Sequence, residues 1–314
     1  MPTVINNGNL PQENVENNKN VQVNTEVTSA PTSTSTNQPS GAPNVVIPSI
    51  VDQQTPIVVF VGPPASGKSM ILVRIAKYLR EVGFTIKADR TFINTAKYRQ
   101  GCDAFENLLD TNIALPGTVE YLLVDVRDKD GNNVAKLLEA PGEHFYDTKN
   151  DGLNDNNKTV QGYLSTIIAS NNPKTYVALL DLDSDISFRN NVTHRNRYTQ
   201  RLLEKFYSQI HPDKDRFILL YNKVDEPGYG TIHGISETKK KQARRDAEMY
   251  YTTLFNTMKV TKLVFFTMDD FAFQTFCTGS YTNVTDENGN EYKQYDMSDN
   301  SYPQDLWMDI IKKW

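Results

Sequence analysis

Residues 57–69 read Ile57-Val58-Val59-Phe60-Val61-Gly62-Pro63-Pro64-Ala65-Ser66-Gly67-Lys68-Ser69, and they decide the fold. Five apolar residues, three of them valine, end at a glycine, the mark of a short buried strand. Gly62 to Ser69 then match Gly, four residues, Gly-Lys-Ser. Such a loop wraps phosphates with successive backbone N–H groups, and the helix behind it aims its positive end at them. Gly62 and Gly67 allow close approach of the backbone. The N–H groups from Ala65 through Met70 face the phosphates, Lys68 reaches the β- and γ-phosphates, and Ser69 ligates magnesium. Pro63 and Pro64 carry no N–H, but they stand early in the loop. Ile71, Ile75, Leu79 and Val82 extend the helix at spacings of three and four until Gly83 stops it.

Outward from this stretch, apolar runs alternate with helical periodicity. Residues 84–118 are weakly periodic and read as a long, partly helical connection. Strands at 119–128 and 133–140 flank Lys129-Asp130-Gly131-Asn132, whose Asp-Gly predicts an antiparallel hairpin. A polar loop runs from Pro141 to Asn157. Helices follow at 158–170, 194–210 and 237–258, with strands at 176–183, 216–225 and 262–268. The last fourteen residues form an amphipathic helix with Leu306, Trp307 and Ile310 inward. The alternation predicts an α/β fold: a mostly parallel six-stranded sheet with one antiparallel strand and helices on both faces. Residues 1–50 have no Phe, Tyr or Trp and are crowded with Asn, Thr, Ser, Pro and Gln, so they are expected to be a disordered tail. Residues 51–314 form one domain, with a Tyr-rich insertion near 276–302 expected to be a hairpin.

Composition narrows the function classes. The chain has 314 residues and a net charge of −5, which gives no general attraction to nucleic acid or anionic membranes. Two cysteines and four histidines make neither a disulfide framework nor a metal-ligand spacing. There is no run of about 20 apolar residues to span a membrane, and the opening residues lack the form of a secretory signal. A soluble, cytoplasmic protein is expected.

Asn222-Lys223-Val224-Asp225 ends the apolar run from Phe217. A carboxylate at the carboxyl end of a buried strand stands where open α/β sheets bind ligands. Asp225 accepts from the N1–H and exocyclic amine of guanine. Against adenine it is left unpaired, which costs about 1–3 kcal/mol or more. Asn222 bonds the base edge and braces the phosphate loop, and the stem of Lys223 covers the base face.

Gly62–Ser69, then Glu139-Ala140-Pro141-Gly142-Glu143, then Asn222–Asp225 resemble the Ras-like, translation-factor-related P-loop GTPase superfamily over roughly residues 56–268. The resemblance implies GTP or GDP with Mg2+ as ligands and GTP hydrolysis as the reaction. It implies an effector or regulator protein as partner. In that family an Asp-x-x-Gly ends the strand after the hairpin: the Asp holds magnesium through water and the Gly amide senses the γ-phosphate. Here Glu139 replaces the Asp and Gly142 matches. The extra methylene moves the carboxylate by about 1.5 Å, and magnesium is intolerant of displaced ligands. The residue after the Gly orients the attacking water; Glu143 stands there, with His144 next. The magnesium-binding threonine maps to Thr118, with Thr111 as runner-up. The base-supporting loop after the last strand maps to Thr267. Asp181, which ends another apolar run, is the natural magnesium ligand if the chain is instead a P-loop ATPase or kinase. A third alternative is a guanine-nucleotide scaffold that does not hydrolyse. The run Lys239–Arg245 reads as a solvated face, and so do Arg195, Arg197 and Arg201, although an arginine acting on the γ-phosphate remains an alternative.

Overall fold

The computed structural model describes residue 50, residues 52–111, 121–146, 162–181, 192–263 and 266–285, residue 289, and residues 291–312. The first strand, β1 (Ile57–Val61), is buried along its whole length, as its unbroken apolar run requires. The helix α1 (Lys68–Glu81) follows the phosphate loop and buries Ile71, Leu72, Ile75, Ala76 and Leu79. Each such buried leucine or isoleucine contributes about 1.5–3 kcal/mol relative to exposure.

Next come β2 (Thr85–Ala88), α2 (Ala96–Leu109), β3 (Leu122–Arg127) and β4 (Asn133–Glu139). A short helix α3 (Gly142–Phe145) precedes α4 (Gly162–Ala169), β5 (Lys174–Asp181) and α5 (Val192–Lys205). The strand β6 (Arg216–Asn222) leads to α6 (Glu237–Tyr250) and α7 (Thr252–Thr257). Strands β7 (Lys259–Leu263), β8 (Phe266–Asp269), β9 (Ala272–Thr275), β10 (Gly279–Thr285) and β11 (Glu291–Met297) precede the closing helix α8 (Ser301–Ile311).

The fold is mixed α/β around a seven-stranded sheet of order β2-β3-β4-β1-β5-β6-β9. Only β3 runs against its neighbours; β4, β1, β5, β6 and β9 pair in parallel. The single reversed strand is as expected, but the sheet has seven strands, not six. The additional one, β2, lies in the stretch read as a weakly periodic connection. It is a four-residue edge strand whose alternating burial is too short to stand out.

A second correction concerns the far edge. The run at 262–268 does not supply the last strand of this sheet. It falls in β7 and β8, a separate antiparallel pair, and β9 takes the edge beside β6. Strong apolar character marks a strand without naming its sheet. The helix expected over 237–258 is interrupted at Tyr251 (φ −117°, ψ 38°). Thr252 Oγ1 there donates to the carbonyls of Glu248 and Met249, competing with the backbone for acceptors.

The Tyr-rich segment does form a hairpin, β10 against β11 in antiparallel register. Helix α8 buries Leu306, Trp307 and Ile310 as expected. Arg74 of α1, almost fully buried, ties this carboxyl-terminal region down. It donates to the Ser298 carbonyl at 2.6 Å and to Asn300 Oδ1 at 2.5 Å. Among the described residues no helix is long and apolar enough to cross a membrane. Of the tail expected over residues 1–50, residues 1–49 lie outside the described residues.

Candidate nucleotide-binding site

Strands β1, β5 and β6 are parallel, so Val61, Asp181 and Asn222 end at one edge of the sheet. The loop after β1 is closed by its own bonds: Ser66 Oγ donates to the Pro63 carbonyl at 2.8 Å. Ala65 and Gly67 have positive φ, 60° and 90°. A non-glycine there costs about 1–2 kcal/mol, and such strain collects at functional sites. Lys68, buried, donates from Nζ to the Gly62 carbonyl at 3.0 Å and the Pro63 carbonyl at 2.9 Å. These are neutral acceptors in the loop that the sequence assigns to phosphate. Tyr198 of α5 sets the loop's root, donating its hydroxyl to the carbonyls of Leu179 (3.1 Å) and Val61 (3.3 Å).

Three further elements converge on the loop. The buried Glu139, at the end of β4, accepts a hydrogen bond from Ser69 Oγ. Two expected metal ligands are therefore in contact. A hydroxyl and a carboxylate beside a phosphate loop are the oxygen donors that magnesium takes together with phosphate and water, so these residues fit that ion.

Next, α3 packs on the loop. A Cβ at Gly142 would lie 2.2 Å from Pro64 N and 2.5 Å from Pro63 C, so only glycine permits this approach. The Phe145 ring centroid stands 5.9 Å from Lys68 Nζ. The Phe145 carbonyl accepts from Arg201 Nε at 3.1 Å, and burial holds that guanidinium's pKa below its ordinary value. Arg201 therefore supports α3 from behind. It is buried, not the solvated surface residue expected.

Last, Asn222, buried at the end of β6, donates from Nδ2 to the Ser66 carbonyl at 2.9 Å. A Cβ at Gly67 would fall 2.6 Å from that Nδ2, so this glycine serves both the backbone angle and the contact. The Asn222 Oδ1 is buried with no donor in contact among the described residues, a state found in strained or ligand-completed groups. Lys223 has φ 56°, which turns the chain sharply out of the strand. The Val224 N–H donates to the Phe276 carbonyl at 3.2 Å, and the Phe276 N–H to the Tyr221 carbonyl at 2.9 Å.

Asp225 thus stands beside the loop that follows β9. Cys277 is fully buried in that loop, and burial, followed by the Asp225 charge, pushes its thiol pKa well up. Cys277, and not Thr267, follows the last strand of the main sheet, because Thr267 belongs to β8 outside that sheet. Neither Cys277 nor Tyr198 was singled out from sequence. The available signal was a small polar stretch, Cys277-Thr278-Gly279, after the short strand Ala272–Thr275.

His144 is engaged away from the loop: its Nδ1 lies 2.6 Å from the Tyr163 hydroxyl, whose pKa burial raises. Tyr121 stacks on Tyr163 with ring centroids 4.3 Å apart. Met70 is half-buried in the first turn of α1. Thr111 follows α2, its carbonyl accepting from Lys77 Nζ at 2.5 Å. Thr118 lies outside the described residues, as do the side chains of Glu143, Asp181 and Thr267.

In the basic run opening α6, Lys239, Lys241 and Arg245 are exposed, as expected of a solvated face, while Lys240 and Arg244 are paired. Lys240 pairs with Asp305 at 2.9 Å and Glu237 at 3.1 Å. Arg244 pairs with Asp269 and lies over the Phe271 and Phe273 rings. Arg195 stacks over Tyr250 at 5.3 Å.

No protein-family model matches the chain. No curated protein matches it. Among solved structures it is similar to a crystal structure from Plasmodium falciparum described as nucleolar GTP-binding protein 1. The two share 12% identity over 74% of this chain and 80% of that one, with a TM-score of 0.38. A likeness that distant carries no argument about function, which rests here on the loop and its contacts.

Proposed function

We propose that this chain binds a guanine nucleotide with Mg2+ and hydrolyses GTP as a molecular switch of the Ras-like P-loop class. One observation carries the reading: Asn222 donates to the Ser66 carbonyl. That bond ties the strand end bearing the Asn-Lys-x-Asp segment to the loop bearing Lys68, so a base reader and a phosphate cradle share one edge of the sheet.

In this reading the loop N–H groups from Ala65 to Met70 and the amino end of α1 hold the phosphates. Lys68 exchanges two neutral carbonyls for phosphate oxygens and offsets charge on the transferred group. Ser69, Glu139 and Thr118 would hold magnesium, which would supply positive charge against the phosphates. Asp225, backed by Cys277, accepts from guanine, while Lys223 covers the base. Gly142, pressed on Pro63–Pro64, is the point at which an added γ-phosphate displaces α3. A change there is what an effector or regulator protein would read. Glu143 orients the attacking water. In this reading the protein is cytoplasmic and takes no nucleic acid.

A binding-only scaffold is favoured by one observation: His144, the second candidate for positioning water, is held by Tyr163. Two measurements test the reading. Nucleotide released from the purified protein by denaturation is expected to be GDP or GTP. Added GTP with Mg2+ is expected to release phosphate catalytically. Guanine nucleotide without turnover selects the scaffold, and adenine nucleotide contradicts both.

A further inference from the structure

Asn222 is one tie between the phosphate loop and the base-reading strand. A second tie runs outside the sheet, through Arg74 of α1, which is almost fully buried. Its Nε and Nη2 both donate to the Ser298 carbonyl, at 3.2 and 2.6 Å, and Nη2 also donates to Asn300 Oδ1 at 2.5 Å. Ser298 in turn donates its N–H to the Thr278 carbonyl at 3.1 Å, in the loop that stands beside Asp225. The Asp299 N–H donates to the Ile232 carbonyl at 2.6 Å, and the Tyr302 hydroxyl to the Thr231 carbonyl at 2.8 Å. Thr231 and Ile232 belong to the loop that Asp225 opens. That loop folds back on its own strand, with the N–H groups of Tyr229 and Gly230 donating to the Val224 carbonyl at 3.0 Å. The short segment from Ser298 therefore touches the helix behind the phosphate loop and both loops around the base-reading carboxylate.

The acceptors that Arg74 finds here are neutral, and its Nη1 has none among the described residues. Burying a guanidinium against neutral partners is costly, and an apolar side chain of similar length would fill the space without that cost. What the guanidinium adds is geometry. Its planar fork fixes both the distance and the direction of Ser298 from α1, which a single flexible contact does not.

Resting on the nucleotide reading above, we propose that Arg74 is a positioning residue for guanine recognition, setting the distance between the phosphate cradle on α1 and Asp225. With the fork removed, the cradle and the carboxylate each keep their chemistry, but they no longer meet one nucleotide at its own span. The contact between Asp225 and the exocyclic amine of the base is the one that loosens.

The test compares GDP with IDP, whose base lacks that amine, by competition binding to the full chain with Mg2+ present. A variant that merely unfolds part of the population weakens both nucleotides equally and leaves their ratio unchanged. A variant that misplaces Asp225 lowers the ratio. The wild type is expected to prefer GDP over IDP by about tenfold, the scale of one hydrogen bond to a charged group. In Arg74→Met the ratio is expected to fall at least about threefold. Asn300→Ala, an exposed position that gives up one arm of the fork, is expected to lower it in the same direction by less. An unchanged ratio in Arg74→Met overturns the proposal while leaving nucleotide binding intact. If Arg74→Met does not fold, Asn300→Ala decides: a lowered ratio supports the proposal and an unchanged one overturns it. Failure of the wild type to bind GDP at all overturns the nucleotide reading itself.

Discussion

Two buried lysines in this molecule have opposite surroundings. Lys136 of β4 lies between two carboxylates, Asp125 at 2.5 Å and Asp89 at 3.0 Å, and fastens β2 and β3 to β4. Lys68 of α1 is held by two carbonyls of its own loop, at 3.0 and 2.9 Å. The first arrangement satisfies its charge within the fold. Burial alone would lower the Lys136 pKa, but the Asp125 and Asp89 bonds outweigh it and hold the ammonium above the ordinary 10.5. In the second arrangement two of the acceptors are neutral dipoles, which an anionic phosphate would outcompete. Buried charge therefore marks stability when its partner is an opposite charge, and a ligand site when its partners belong to a loop able to re-form around an anion.

The largest expected effect tests the structural half of this comparison. Lys136→Met removes the ammonium shared by Asp89 and Asp125, leaving Asp125 beside Arg127 at 3.5 Å, and is expected to lose about 3–5 kcal/mol of stability in urea denaturation. Lys68→Ala is expected to do the reverse. Its GDP affinity falls by at least about a hundredfold, while stability changes by no more than about 1 kcal/mol, the scale of a neutral hydrogen bond. If Lys68→Ala proves the less stable variant and keeps its affinity, the contrast is broken.

The pH dependence sharpens it. A raised lysine pKa gives stabilisation that is present below pH 10.5 and is lost as pH rises through the higher folded value. At Asp89 burial raises the pKa, but bonds from Thr91 and Lys136 outweigh it and hold the carboxyl below 3.8. Its share is present above pH 3.8 and is lost as pH falls through the lower folded value. The stability difference between wild type and Lys136→Met is therefore expected to be widest between these limits and to narrow at both ends, as denaturation curves across pH would read. The smallest effect comes from Tyr198→Phe, which removes the hydroxyl shared by the Leu179 and Val61 carbonyls. It is expected to cost about 1 kcal/mol, with GDP affinity lowered severalfold because the root of the loop is loosened.

Legibility in the sequence followed signal strength. The strand-loop-helix of residues 57–81 and the reversed hairpin strand were readable because each joins an uninterrupted pattern to a glycine or Asp-Gly marker, and the docking face of α8 because its apolar residues recur at helical spacing. The bracing role of Asn222 was readable because its motif closes a buried strand. Strands β2 and β9 were not. Each has four residues and partial burial, whereas the stronger apolar run at 262–268 belongs to a hairpin outside the main sheet. Misplacing that last strand put Thr267 where Cys277 stands. The roles of Tyr198 and Arg201 depend on tertiary contacts with carbonyls 19 to 137 residues away, which no local pattern carries.

The central claim is that one edge of the sheet holds a phosphate cradle and a guanine-reading carboxylate for the same ligand. Competition binding of GDP, ADP and XDP to the wild type and Asp225→Asn, with Mg2+ present, tests it most directly. The account predicts at least a hundredfold preference for GDP over ADP in the wild type, and a shift toward XDP in the variant, where the carboxamide matches the altered base edge. Equal binding of GDP and ADP by the wild type, or an unchanged GDP preference in Asp225→Asn, would contradict it.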